Sequence, residues 1–437
     1  MKKLLFLLAV TITFMTYANA QLFPQWGNLT PGKFKIGYKT IVKTDASRTY
    51  GSQPRVVQMY MWYPARSGTG TKASYRQYFK DVANDWGGNK NISENLGRML
   101  KKDFRSGALN PSFAGEFSDE AFQKILETPI PVMVNATPET GKFPLVLHIT
   151  SNGALHQSVM MEYLASHGYV VISISMYGSS PAFYGRGEAG AKGLHAMTED
   201  LAFVIAQSRS VDFVDTAKTA VIGMMAQAGI SLQMKEELLD AIVCLDCHTD
   251  QRLLRMLPYY DPKRLRIKML QVLNSAFPVE VNYMLDSLIY SERFETKIEG
   301  LQHPDFYPFP RIAAPETARD HVKYELILRN TLLFLDYALQ LKGTYQAGSS
   351  TTKKHDPAAN TPTEAEFLQW LRYGQMQQVR HAWKQFGKDV AGQENFFSVV
   401  LFLARDKSEF AREAYEMYSS AYPNDSRLKM ISQFLSP

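Results

Sequence analysis

From Gln21 onward the apolar residues first recur at alternate positions. Phe34-Lys35-Ile36-Gly37-Tyr38-Lys39-Thr40-Ile41-Val42 and Arg55-Val56-Val57-Gln58-Met59-Tyr60-Met61-Trp62-Tyr63 each read as a strand, with Pro64 ending the second. Residues 66–140 are polar and mixed, with helix-like patches such as Glu120–Glu127, and read as an insertion over the body of the domain. At Phe143-Pro144-Leu145-Val146-Leu147-His148-Ile149 the rhythm changes. Helices are predicted at Met160–His167 and Met197–Ser208. Strands are predicted at Tyr169–Ser175, Thr219–Gly223, Ala241–Leu245 and Lys268–Val272. Apolar strands separated by helices indicate βαβ units, hence an α/β fold with a mostly parallel sheet and helices on both faces.

Beyond Leu341 the pattern stops. Gly343–Pro362, rich in Gly, Ser, Thr, Ala and Pro, reads as a linker. Thr363-x-x-Glu366 then forms a capping box at the head of a helix, and 363–437 carry helical patterning alone. This predicts a small all-helical module of about four helices. Ala411, Tyr415 and Pro423 fall on a tetratricopeptide-like spacing, but self-similarity is too weak for a repeat array. The expected organisation is therefore 21–342 as the α/β domain, 343–362 as linker and 363–437 as the module. At the other end, Lys2 and Lys3 precede an apolar run closed by Ala18-Asn19-Ala20. That is the pattern of a cleaved signal peptide over residues 1–20. No Cys stands just after the cleavage point, and no later stretch is apolar enough to span a bilayer, so the expectation is an exported, soluble chain without a lipid anchor.

Composition narrows the partners. With 45% hydrophobic and 21% charged residues the chain belongs with globular proteins. The net charge of +6 is mild, and its cations form no block or single-faced run. Nucleic acid and anionic membrane are not implied.

Open parallel sheets bind ligands at the carboxyl ends of their strands. There Thr219-Ala220-Val221-Ile222-Gly223-Met224-Met225-Ala226-Gln227-Ala228-Gly229 runs from a strand through a tight glycine turn toward a helix. This arrangement corresponds to the Gly-x-Ser-x-Gly elbow of serine hydrolases, in which the turn exposes a nucleophile and the next amide faces the oxyanion. With Met61-Trp62-Tyr63-Pro64-Ala65, Lys142-Phe143-Pro144-Leu145-Val146-Leu147 and Glu162-Tyr163-Leu164-Ala165-Ser166-His167-Gly168-Tyr169-Val170-Val171, the chain resembles α/β-hydrolases of the platelet-activating-factor acetylhydrolase and dienelactone hydrolase type. The likeness covers roughly residues 32–340. It implies an α/β-hydrolase fold and places Asp246 at the acid position and His303, in Gly300-Leu301-Gln302-His303-Pro304-Asp305-Phe306, at the base position. Met225 stands at the nucleophile position and Gln227 replaces the second elbow glycine. Thr150-Ser151 replaces the family's His-Gly pair and is followed by Asn152-Gly153. The amides of Ala226 and Asn152 are the oxyanion candidates.

A thioether has no proton to give and forms no useful acyl intermediate. The expectation is a degenerate esterase whose pocket binds an acyl, lipid-like or other small ligand. Two rival enzyme readings are a migrated nucleophile, Ser151 or Thr150 served by His303, and water activated by the Asp246–His303 pair. If active, the chain would be a carboxylic-ester or lipid hydrolase. A non-enzyme rival is a protein that binds a partner through residues 363–437. Among the remaining histidines, His148 ends an apolar strand and reads as a core residue, and no convergent metal-ligand set is present. Cys244-Leu245-Asp246-Cys247-His248 matches the c-type haem attachment pattern, which gives covalent haem and a redox dithiol as alternatives. The favoured reading is two small apolar residues or a local disulfide, because Cys244 falls inside a predicted central strand.

Overall fold

The computed structural model describes residues 23–50, 52–85, 119–150, 154–155, 157–175, 188–224, 238–246, 265–273, 291–308, 312, 321–341, 345, 351–355, 364–372 and 376–435. Residues 1–20, read above as a signal peptide, lie outside them. The chain divides into two compact units, with the boundary toward the carboxyl end between His355 and Asp356.

The first unit is built on one eleven-stranded sheet. Its strands are β1 (Lys35–Tyr50), β2 (Gln53–Ala65), β3 (Thr71–Ser74), β4 (Pro129–Val134), β5 (Phe143–Thr150), β6 (Val170–Ser175), β7 (Val214–Met224), β8 (Ala241–Leu245), β9 (Lys268–Leu273), β10 (Glu292–Lys297) and β11 (Thr351–His355). They lie in the order β11-β10-β9-β8-β7-β5-β6-β2-β1-β4-β3. From β10 to β6 every neighbouring pair is parallel, as the apolar runs predict. β2 joins β6 antiparallel and forms a long antiparallel ribbon with β1. Central strands such as β8, buried at every position, are covered on both faces and therefore lack polar alternation.

Two segments depart from expectation. The stretch read as an insertion contributes β3 and β4, which extend the sheet beyond β1, together with α1 (Tyr75–Asp85) and α2 (Asp119–Glu127). Within the stretch read as linker, Thr351–His355 pairs antiparallel with β10 as an edge strand. Backbone pairing needs no apolar side chains, so an edge strand can be polar throughout.

Helix α3 (Ser158–Ser166) follows β5, α4 (Glu188–Ser208) follows β6, and α5 (His321–Ala338) packs against β8 and β9. All nine residues of α3 are buried. Its polar members are each hydrogen-bonded to distant segments. Glu162 accepts bonds from the Trp26 indole N–H (2.8 Å) and the Tyr78 hydroxyl (2.9 Å), and Ser158 shares one with Tyr75 (2.7 Å). Ser166 Oγ accepts the Gly32 N–H at 2.9 Å, and its carbonyl accepts the Phe34 N–H at 3.1 Å. Residues 23–34 thus form a strap over α3, fastened also to α5 where Glu325 accepts the Asn28 N–H at 2.8 Å. Contact at Gly32 is close: a Cβ there would lie 2.0 Å from the Ser166 carbonyl oxygen.

The second unit contains α6 (Glu364–Arg372), α7 (Met376–Phe386), α8 (Gln393–Arg405), α9 (Ala411–Ala421) and α10 (Leu428–Leu435) around Phe367, Phe396, Val400, Tyr418 and Ile431. Among the described residues these are five helices, where about four were expected. Thr363 of the capping box lies outside the described residues. Glu364 instead accepts the Gly392 N–H (2.8 Å) and the Asn395 amide (3.0 Å), tying the head of α6 to that of α8. Among the described residues no helix is long and apolar enough to cross a membrane.

Candidate functional site

The carboxyl ends of β5, β7, β8 and β9 form one edge. Ile149 pairs with Gly223, Gly223 with Cys244, Met224 with Leu245, and Leu245 with Val272. The elbow strand β7 thus runs to Met224, the residue before the nucleophile position. Met225 and the oxyanion candidates Ala226 and Asn152 lie outside the described residues, as does Ser151.

Asp246 is the first residue past β8. Its backbone turns into the left-handed region at φ 49°, a conformation that Asp tolerates better than most residues. Its N–H donates to the Val272 carbonyl of β9 at 2.9 Å, and the residue is 1% exposed. The acid position is therefore held by backbone at the end of a buried strand.

His303 opens a single 3₁₀ turn, His303–Phe306. Asp305 of that turn accepts the Gln302 N–H at 2.8 Å and lies 3.6 Å from Lys323 Nζ of α5. The next residue, Tyr307, is buried, and burial together with the neighbouring Asp246 carboxylate pushes its phenol well above the ordinary range. Tyr307, the residue after the turn, is thus within electrostatic reach of Asp246.

Gln157, immediately before α3, closes the group. Its Nε2 donates to the Phe306 carbonyl at 2.6 Å and lies 3.7 Å from Met224 Sδ, while the Tyr324 hydroxyl of α5 approaches its Oε1 at 3.5 Å. The structure thus brings together Asp246, the His303 turn with Tyr307, the end of the elbow strand and Gln157. Sequence reading missed Gln157 and Tyr307. The nearest signals were a polar residue directly before an apolar helix and an aromatic residue following the His-x-x-Phe segment.

His148 is buried in β5 with Nδ1 3.0 Å from Ser173 Oγ, the environment of a core histidine. Cys244 is disulfide-bonded and fully buried in β8. The chain's other cysteine, Cys247, and His248 lie outside the described residues. A sulfur already in a disulfide, inside a central strand, does not suit a thioether to a porphyrin, and we derive no chemistry through haem. Among the described residues no group of three or more His, Cys, Asp or Glu side chains could hold a metal ion.

No family model matches the chain, and no curated protein matches it. Among solved structures the chain is similar to a ferulic acid esterase from Streptomyces cinnamoneus. The match covers 75% of this chain and 98% of that chain, at 16% identity and a TM-score of 0.51. At that identity the likeness speaks for the fold alone. With the strand order and helix placement described above, it shows that the first unit has the α/β-hydrolase fold, followed in this chain by a separate all-helical module.

Proposed function

We propose that the chain is a degenerate ester hydrolase: the acid and base positions are kept at Asp246 and His303, Met225 occupies the nucleophile position, and the pocket binds an acyl or lipid-like small molecule without cleaving it. The observation that carries this reading is the convergence of Asp246 and the His303 turn on the edge where β7 ends, at Met224. The esterase named among the similar structures agrees with an ester-type ligand. Export after cleavage at Ala20 belongs to the same proposal, and a protein that binds a partner through residues 363–437 is its non-enzyme rival.

The test is a single substitution. In Met225→Ser the new hydroxyl attacks the ester carbonyl while His303 takes its proton. The imidazolium then returns that proton to the leaving alcohol, and the amides of Ala226 and Asn152 face the oxyanion. The expected result is that the natural chain does not label with a fluorophosphonate probe, whereas Met225→Ser labels and cleaves a short-chain p-nitrophenyl ester. Labelling of the natural chain that is lost in Ser151→Ala would overturn the reading in favour of a displaced nucleophile.

A further inference from the structure

The geometry points to Gln157 as the positioning residue that fastens the base-bearing turn His303–Phe306 to the end of the elbow strand, an inference that rests on the acid–base reading given above. Gln157 is 1% exposed, and its amide is engaged by three segments far from it in sequence. One Nε2 hydrogen goes to the Phe306 carbonyl at 2.6 Å, Nε2 also lies against the Met224 thioether at 3.7 Å, and Oε1 faces the Tyr324 hydroxyl at 3.5 Å. A buried amide is expensive unless its donors and acceptor are met, so a site needing only volume would be filled by Leu or Met. Here the amide gives direction. A thioether is a weak acceptor and a peptide carbonyl a strong one, so the short bond to Phe306 dominates and the contact with Met224 sets the spacing.

The turn's other ties act elsewhere. Asp305 binds the turn to itself through Gln302 and reaches α5 through Lys323. Those contacts fix the turn on the helix behind it. Gln157, lying between β5 and α3, has a side chain that reaches both the turn and Met224. Since His303 begins the turn that Phe306 ends, and Met225 follows Met224, the Gln157 amide sets the separation of the base and nucleophile segments through the backbone. Positioning of this kind governs rate strongly, because small displacements of a catalytic group are costly.

The experiment compares the natural full-length chain with Gln157→Leu and Gln157→Glu. Amide hydrogen exchange is read in peptides covering 300–308 and in peptides from β5 and β7. Diethylpyrocarbonate modification of His303 is followed by peptide mass across pH 5.5–8. In Gln157→Leu, exchange over 300–308 should quicken by about tenfold or more while β5 and β7 stay protected, as expected when a buried carbonyl loses its donor. The rate of His303 modification should rise as well. Gln157→Glu should match the natural chain at the acid end, where a protonated carboxyl still donates to Phe306. Once ionised the group cannot donate, and from that pH upward it should resemble Gln157→Leu. Unchanged exchange over 300–308 in Gln157→Leu, or equal loosening of the whole sheet, would each overturn the inference. In the Met225→Ser background, Gln157→Leu should lower kcat and leave KM unchanged. If Met225→Ser itself cleaves nothing, the proposed function fails by itself, and the exchange and modification data still decide the role of Gln157.

Discussion

Replacing Glu162 by Gln should stabilise the α/β-hydrolase unit in alkaline solution and leave it nearly unchanged in acid. Glu162 is fully buried in α3, and the partners of its carboxyl are two neutral donors, the Trp26 indole and the Tyr78 hydroxyl, the latter also accepting the Trp62 N–H at 2.8 Å. Desolvation outweighs both bonds and raises the carboxyl to about 8 from an ordinary 4.5. The sign follows. Below about 4.5 the group is neutral in folded and unfolded chain alike, and stability is independent of it. Between 4.5 and 8 the unfolded chain sheds the proton that the folded chain keeps, so stability falls by about 1.4 kcal/mol per pH unit. It levels off above 8, after a loss of about 5 kcal/mol. A Gln side chain does not titrate and imitates the protonated acid, accepting from Trp26 and donating to the Tyr78 oxygen. Urea unfolding of both proteins, followed by tryptophan emission from pH 4 to 9, measures the difference directly. We expect curves within about 1 kcal/mol of each other near pH 4.5 that diverge by several kcal/mol at pH 9. Parallel curves, or a Gln variant weakened equally at every pH, would refute the reasoning.

Gly32→Ala forces a methyl group into the Ser166 carbonyl and should lower stability by about 2–3 kcal/mol, seen as a reduced melting temperature together with faster proteolysis near residue 32. In the helical unit, Asp425 accepts bonds from Tyr418, from Gln393 and from the side chain and N–H of Arg427, which also reaches Glu394 at 2.7 Å. Hydrogen bonds from Arg427, then Tyr418, hold its carboxyl far below the usual range, so its contribution is present above the ordinary value of 3.8 and fades only as pH falls through the lower folded one. Calorimetry should therefore show Asp425→Ala lowering the helical unit's transition at pH 7 and converging with the natural chain in strong acid.

The parallel core was legible because burial on both faces forces apolar runs, and Leu145–Leu147, Val170–Ile172, Ala220–Ile222 and Ala241–Leu245 are such runs. What escaped was structure without an apolar signature. β10 reads Glu-Arg-Phe-Glu-Thr-Lys and β11 Thr-Thr-Lys-Lys-His, and near a sheet edge backbone bonds can hold polar residues that no periodicity marks. Asp246 could be placed from sequence because it follows a strand directly and the backbone fixes it. Gln157 could not, since Gln before a helix looks like a solvated cap until Phe306, distant in sequence, folds over it. Glu162 shows the same limit. In isolation it is the polar position of a half-exposed helix, and only the strap and α1 make it buried.

The strap also bears on how the protein is made. Asn28 meets Glu325 across 297 positions of chain, and Trp26 meets Glu162 across 136. On a ribosome the strap emerges before either partner; its ties to α3 can form once that helix is out, but its tie to Glu325 waits until α5 has been synthesised. Contacts of such high sequence separation slow folding, because loop closure precedes their reward. Until α3 emerges Trp26 has no partner, and until α5 follows the strap is held on one side alone, so the nascent domain displays aromatic surface open to chaperones and aggregation alike. A chain cut before α5 would therefore lose one fastening of its own amino-terminal segment, 297 positions away, along with the helix itself.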